Sequence, residues 1–359
     1  MSPTVEMLSP LPVVRGHGDV YQRLARAWER GRLAQAYLFL GPEGIGKQLV
    51  ARQFAQALLC QLPDREKLQP CRICDRCRAF QAGVHPDFHW VERDAGRREL
   101  TVDKFIGPRE LRGQAGLCHD LTRQPLPGGR KVGVINDADW MNEEASNALL
   151  KTLEEPPPSV VLILIAARRD GVLPTIRSRC QSVMFAPLAV SDVAEILLSR
   201  HQISIDQAQE WARWSGGSVS RAESWLEPEI HTLRQELWRA LFLPAQTAPL
   251  VIAQRLIEGI EKARREPAEQ RLLAEQLVQA SLDFLRLCIH GLIEFDPTSR
   301  PLEVQQWLHP RRDAAARWLQ RLDAACECCF QTLDQLEQNA ALPLCLQAWC
   351  HALFFKLRE

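Results

Sequence analysis

The chain has 359 residues, of which 46% are hydrophobic and 25% are charged, and its 44 basic side chains balance 44 acidic ones. These are the proportions of a globular protein with room for about two or three domains. No apolar run approaches the roughly 18 residues of a membrane span, which argues against a membrane protein. Residues 1–10 show no secretory signal, so we expect a cytoplasmic chain with no membrane partner.

Short apolar runs alternate with helical patterns in the first half of the chain. The apolar runs are residues 36–40, 131–135 and 160–167. The helical patterns between them include residues 47–60 and 142–153. Because buried strands that alternate with helices are typical of parallel sheets, we predict an α/β domain over residues 1–187.

Only helical periodicity follows residue 187. Three short patterns between residues 191 and 226 predict a small three-helix domain over residues 188–227. Longer amphipathic stretches, interrupted by prolines, predict an all-helical domain over residues 228–359.

A glycine-rich segment directly after the first predicted strand fits the phosphate-loop pattern G-x-x-x-x-G-K. Its three glycines and its lysine are Gly41, Gly44, Gly46 and Lys47. Glycines let backbone N–H groups curl around phosphate oxygens, and the lysine would reach the β and γ phosphates. Gln48 stands where Ser or Thr normally holds Mg²⁺, and its amide is a poorer ligand for that cation. Two interpretations therefore stay open. In the first the loop binds ATP and Mg²⁺, whereas in the second it is a phosphate-type loop that binds no nucleotide.

Acidic residues follow the predicted strand 131–135, as they do in the Mg²⁺-binding segment of ATPases. Asn136 occupies one plausible position of the usual Asp-Glu pair, whereas Asp137 could still contact the metal. A helix-capping role for Asp137 is an equally good interpretation.

Four of the twelve cysteines fall within residues 60–77. They are Cys60, Cys71, Cys74 and Cys77. Four thiolates suit tetrahedral Zn²⁺ and leave no ligand position for water, so we predict a structural zinc site. Four free cysteines, or a ligand from His85 or His89, are the alternatives. We interpret the other eight cysteines as small buried apolar residues.

Three segments closely resemble bacterial clamp-loader subunits of the AAA+ class. They are residues 137–142, 145–157 and 173–181. Subunits of that loader share a four-cysteine insert after the phosphate-loop helix. The resemblance covers about residues 20–226, and it implies an AAA+ P-loop module followed by a helical lid and a collar that joins a pentameric loader.

The resemblance also implies roles for single residues. In AAA+ rings an arginine of one subunit reaches the γ-phosphate bound by its neighbour. Arg179, within Ser178-Arg179-Cys180, matches the family segment for this arginine finger acting in trans, with Arg177 as the fallback. Arg221 would face the chain's own nucleotide site or merely cap the lid helix.

The sequence therefore predicts a largely non-hydrolysing stator that helps load a sliding clamp. The implied partners are tau/gamma and delta subunits in a hetero-pentamer, the sliding clamp, and primer-template DNA through the assembled complex. Two alternatives remain. The first is an active tau/gamma-type ATPase, against which Gln48, Asn136 and Ala166 count because Ala166 lies where a sensor Thr or Ser is expected. The second is a zinc-containing DNA-binding module, which would need a basic face.

Overall fold

The computed structural model describes residues 14–64, 66–94, 97, 99–242, 248–293 and 301–357. Residues 1–10, on which the expectation of no secretory signal rests, lie outside the described residues. The chain divides into two compact units, one ending at Leu188 and the other beginning at Ala189. Within the ranges given above, every helix is too short or too polar to cross a bilayer.

Five parallel strands form one sheet in the order β2-β3-β4-β1-β5. They are β1 (Ala36–Leu40), β2 (Phe88–Val91), β3 (Lys131–Ile135), β4 (Val160–Ala166) and β5 (Gln181–Met184). The three predicted strands are β1, β3 and β4, and they are buried along their whole length. Strands β2 and β5 lie at the two edges and are partly exposed, which is why their sequences show no continuous apolar run.

Helices cover both faces of the sheet. The helices of the first unit are α1 (Gly18–Glu29), α2 (Lys47–Leu59), α3 (Asp75–Gln81), α4 (Asp103–Ile106), α5 (Leu117–Thr122), α6 (Glu143–Glu154) and α7 (Pro174–Arg177). Alternate residues of β1 enter different cores: Phe39 packs in one with Phe54 of α2, and Leu38 packs in the other with Leu149 of α6. The predicted α/β P-loop module is therefore confirmed.

A buried ion pair ties the segment after the cysteine insert to the sheet. Lys131 Nζ lies 3.2 Å from Asp87 Oδ1, and both side chains are only 4% exposed. The other carboxylate oxygen of Asp87 accepts the N–H of Leu126 at 2.9 Å. Arg76 of α3 donates to the neighbouring carbonyl oxygen of Pro127 at 2.8 Å. These contacts join the insert, the loop before β3 and the start of β3.

The second unit is helical throughout its described residues. Its helices are α8 (Val190–Arg200), α9 (Ile205–Trp214), α10 (Val219–Ser224), α11 (Pro228–Phe242), α12 (Pro249–Ala263), α13 (Pro267–Ile293), α14 (Leu302–Leu308), α15 (Ala315–Glu337) and α16 (Leu342–Leu357). Helices α8 to α10 match the three short patterns expected between residues 191 and 226. The further division of this unit at residue 227 stays a prediction.

An arginine is enclosed by three tryptophans inside the second unit. Arg234 is 1% exposed, and its guanidinium carbon lies 5.0, 4.4 and 4.6 Å from the ring centroids of Trp214, Trp225 and Trp238. Cation–π contacts stabilise a desolvated guanidinium, although burial still lowers the pKa of Arg234 to about 10. Because Trp214 belongs to α9 and Trp238 to α11, the short and the long helices of this unit share one core.

We predict that loss of Asp87 strongly destabilises the first unit. Asp87→Ala leaves the Lys131 charge buried without its counter-ion, a change that costs about 3–5 kcal/mol. The double variant Asp87→Ala/Lys131→Met removes that unpaired charge and should recover much of the loss. Urea unfolding followed by circular dichroism measures the free energy of unfolding of both variants. Asp19→Ala is the control, because the side chain of Asp19 is exposed. Equal, small losses for Asp87→Ala and Asp19→Ala would contradict this assignment.

Candidate nucleotide and metal sites

The phosphate-type loop lies at the carboxyl edge of the sheet, after the strand that pairs with both β4 and β5. Gly44 and Gly46 have φ angles of 72° and 96°, which side chains with a Cβ rarely adopt. Position 41 has no room for a side chain, because a Cβ there would lie 2.5 Å from the carbonyl oxygen of Phe185. The loop therefore has the backbone of a phosphate loop, held against the end of β5.

Lys47, the first residue of α2, is only 6% exposed. Its ammonium group donates to the carbonyl oxygens of Gly41 and Pro42, at 2.5 and 2.6 Å. Burial lowers the pKa of Lys47, and the nearby carboxylates of Glu43 and Asp139 act in the opposite direction. The lysine thus lies inside the loop, bound to the loop's own oxygens and close to the predicted acidic segment.

The two acidic residues after β3 have different surroundings. Asp137 adopts a left-handed backbone conformation with φ of 57°, and burial raises the pKa of its carboxyl group. Asp139 Oδ2 accepts the backbone N–H groups of Ala167 and Arg168, at 3.2 and 2.9 Å. Asp139 therefore ties the end of β3 to the end of β4, a role that the sequence analysis missed. Asp137 stays the candidate metal ligand of this segment.

Arg179 lies at the surface between α7 and β5, with 36% of its side chain exposed. Its Nη2 donates to Glu154 Oε1 at 2.8 Å, and its Nη1 donates to the carbonyl oxygen of Thr175 at 3.0 Å and to Ser178 Oγ at 3.4 Å. Arg177 is less exposed and donates to oxygens of the preceding loop. Of the two candidate arginines, Arg179 presents the more accessible guanidinium.

Arg221 belongs to α10 in the second unit. Its Nη1 lies 3.3 Å from Asp283 Oδ1 of α13. Burial raises the pKa of Asp283 to about 6, and the charges of Arg221 and Arg286 act against that shift. Ser218 caps α10 by accepting the N–H of Arg221. The guanidinium of Arg221 therefore has a partner within its own unit, and a contact with nucleotide stays a prediction.

The four clustered cysteines come together as the sequence spacing predicts. Their Sγ atoms all lie within 4.8 Å of one another, with 3.9 Å between Cys60 and Cys74 and 4.0 Å between Cys71 and Cys77. Four sulfurs arranged tetrahedrally around Zn²⁺, at Zn–S distances of about 2.3 Å, would be about 3.8 Å apart. The donor set and its spacing therefore fit a structural zinc ion.

The local backbone explains how one insert presents four thiols to one point. Cys60 directly follows α2, and Cys74 caps α3 by accepting the N–H of Cys77 at 3.4 Å. Arg72 has a φ angle of 64°, which turns the chain between two ligands. The N–H of Cys71 donates to the sulfur of Cys60 at 3.3 Å. Such N–H···S bonds favour the thiolate form that binds metal.

The remaining candidate ligands lie outside this cluster. Among the described residues, the four cysteines are the only group of three or more ligating side chains, so His85 and His89 have no place in it. Five of the eight other cysteines are buried and three are half-buried, as expected for small apolar residues.

We predict one Zn²⁺ per chain, bound by this cluster. Structural zinc contributes about 10–16 kcal/mol in small zinc peptides, so Cys74→Ala should lose the metal and unfold the insert while the α/β core stays folded. Elemental analysis of reduced protein measures the zinc content, and proteolysis locates the unfolded segment. Cys118→Ala is the matched control because Cys118 lies apart from the cluster. Less than about 0.2 zinc per wild-type chain would contradict the assignment.

Comparison with known proteins matches the first unit to a replication family. Residues 16–189 match the family model described as DNA polymerase III, delta subunit. The chain is 35% identical over 210 residues to DNA polymerase III subunit delta-prime of Pseudomonas aeruginosa, covering 57% of this chain and 61% of that protein. It is 31% identical over 221 residues to subunit delta-prime of Escherichia coli, covering 62% and 63%. Subunit tau of Escherichia coli is 33% identical over 190 residues, which cover 53% of this chain and 26% of tau.

The matched part spans a little over three fifths of each delta-prime relative. Residues 16–189, which the family model matches, contain the phosphate-type loop, the cysteine insert and the segment around Arg179. Residues 16–189 are therefore similar to the DNA polymerase III delta subunit model, and the chain is similar to two delta-prime subunits over a little under two thirds of its length.

Proposed function

We propose that this chain is the delta-prime subunit of a bacterial clamp loader, a cytoplasmic replication complex that places the sliding clamp on primed DNA. The similarity to two delta-prime subunits carries this proposal, together with the match of residues 16–189 to the DNA polymerase III delta subunit model. In this role the chain joins tau/gamma and delta subunits in a hetero-pentamer. It contacts primer-template DNA through the assembled complex.

The chain's own nucleotide site contributes little or no hydrolysis in this proposal. If nucleotide binds, Gly41, Gly44 and Gly46 surround its phosphates, Lys47 contacts them, and Asp137 is the remaining acid for Mg²⁺. Three features argue against turnover. Gln48 replaces the usual hydroxyl ligand, Asn136 replaces an acid, and Ala166 replaces the sensor hydroxyl.

The surface arginine Arg179 is the group that we propose acts on a neighbouring subunit. A guanidinium presents a planar fork of N–H groups to two phosphate oxygens, and it stabilises the charge that develops during phosphoryl transfer. The exposure of Arg179 supports this role because the finger must leave its own subunit's surface to reach the next.

An active tau/gamma-type ATPase remains the second candidate, because tau of Escherichia coli is 33% identical to this chain over 190 residues. The two candidates differ in what the isolated chain does with ATP. A tau/gamma-type subunit needs a complete Mg²⁺ site, and one oxygen of Asp139, Oδ2, is already bound to the N–H groups of Ala167 and Arg168.

We predict that the isolated chain hydrolyses ATP far more slowly than ordinary ATPases, which turn over on the order of once per second or faster. Gln48→Thr should not restore turnover, because Asn136 and Ala166 still leave the metal and the attacking water without support. Phosphate release from the purified chain measures both rates. Turnover near once per second by the wild-type chain would favour the tau/gamma-type candidate.

We also predict that Arg179→Ala leaves folding and pentamer assembly nearly intact but slows DNA-dependent ATP hydrolysis at one subunit interface. Arginine fingers contribute about 10³ to 10⁵ in rate in other phosphoryl-transfer systems, although fingers at the other interfaces limit the loss for the whole loader. Arg179→Lys should also be impaired, because Lys lacks the planar fork. The exposed Arg169→Ala is the matched control. Wild-type clamp loading and hydrolysis by both Arg179 variants would make Arg179 a structural residue.

A further inference from the structure

A carboxylate from another element holds the side chain of Arg179. Glu154 is the last residue of α6, and its Oε1 accepts from Arg179 Nη2 at 2.8 Å. The other two contacts of the guanidinium, to Thr175 and Ser178, are made within its own turn of chain. Glu154 therefore provides the one long-range contact of Arg179 among the described residues, and it sets the direction in which the side chain extends.

The three contacts leave part of the guanidinium available. A guanidinium has five N–H groups, two on each Nη and one on Nε. Two acceptors, Thr175 O and Ser178 Oγ, contact Nη1, and Glu154 contacts Nη2. Within the described part of the chain, Nε has no hydrogen-bond partner. Nε and Nη2 form the edge of the guanidinium that can bind two oxygens of a phosphate side by side, and the Nε end of that edge is unused by these contacts.

We propose that Glu154 is a positioning residue for the arginine finger, an inference that rests on the proposed role of Arg179. A long side chain that is already ordered loses less rotamer freedom when it contacts a phosphate. Glu154 orders the guanidinium from one side while the Nε edge stays open toward a neighbouring subunit. Glu154 does not touch the nucleotide, and its effect is exerted through Arg179.

The side chains of both residues are partly exposed, 36% for Arg179 and 51% for Glu154, so substitution of Glu154 should not disturb the core. An exposed ion pair has a modest effect, and we expect Glu154→Ala to slow finger-dependent hydrolysis about two- to fivefold. Glu154→Gln keeps a hydrogen-bond acceptor and should restore most of the rate. Glu155→Ala is the matched control, because Glu155 is the next residue, is acidic and is exposed.

The test uses complete loaders reconstituted with wild-type or variant chains, and it measures kcat and KM for DNA-stimulated ATP hydrolysis. The part of the ATP hydrolysis rate that depends on the finger is the difference between the rates of loaders with wild-type and with Arg179→Ala chains. Glu154→Ala should lower the kcat for hydrolysis by reducing this finger-dependent rate, while KM stays nearly unchanged and the pentamer still assembles. In the Arg179→Ala background, Glu154→Ala should have no further effect, because both substitutions then remove the same contribution.

Three outcomes would overturn the inference. They are an additive loss in the double variant, an equal loss from Glu155→Ala, and hydrolysis that is unchanged or faster with Glu154→Ala. These outcomes leave the proposed function standing, provided that Arg179→Ala alone slows hydrolysis. If Arg179→Ala alone has no effect, the proposed finger fails together with the role of Glu154.

Discussion

The close approach of β1 and β5 at the carboxyl edge of the sheet is the constraint on which the candidate site depends. The backbone at Gly41 comes so near Phe185 that no side chain fits between them. This contact directs the chain into the phosphate-type loop, from which α2 begins at Lys47. Because the sheet is parallel, strands β3 and β4 end at the same edge, and the segments that follow them begin there. The fold thus brings together residues that are about 100 positions apart in the sequence.

Most of the charged side chains considered for the candidate sites are bound by atoms of the chain itself. The ammonium of Lys47 is bound by loop carbonyl groups, and the carboxylate of Asp139 is bound by backbone N–H groups after β4. In the second unit, Arg221 pairs with the buried Asp283. The side chain of Arg179 is also bound within the chain, but it is more exposed, at 36%, than those of Arg177 and Arg221, at 26% each. This distribution agrees with the proposal that the chain contributes to its neighbour's chemistry more than to its own.

The sequence predicts the elements whose signals are local and continuous. The strands β1, β3 and β4 are central and buried on both faces, so they appear as unbroken apolar runs. The cysteine cluster is predicted by the cysteine spacing, because ligands with two residues between them must come from one tight turn. The edge strands β2 and β5 have four residues each and partly exposed faces, and no such signal marks them. The pairing of Asp87 with Lys131 and the enclosure of Arg234 join distant residues, which single-sequence periodicity does not reveal.

The most direct test of the central claim is clamp loading by a reconstituted loader with and without this chain. The other components are the tau/gamma and delta subunits and the sliding clamp of the same organism, with primed DNA as substrate. We predict that native mass spectrometry finds one copy of the chain in each pentamer and that efficient clamp loading requires it. Full clamp loading without the chain, or its absence from the assembled pentamer, would contradict the account.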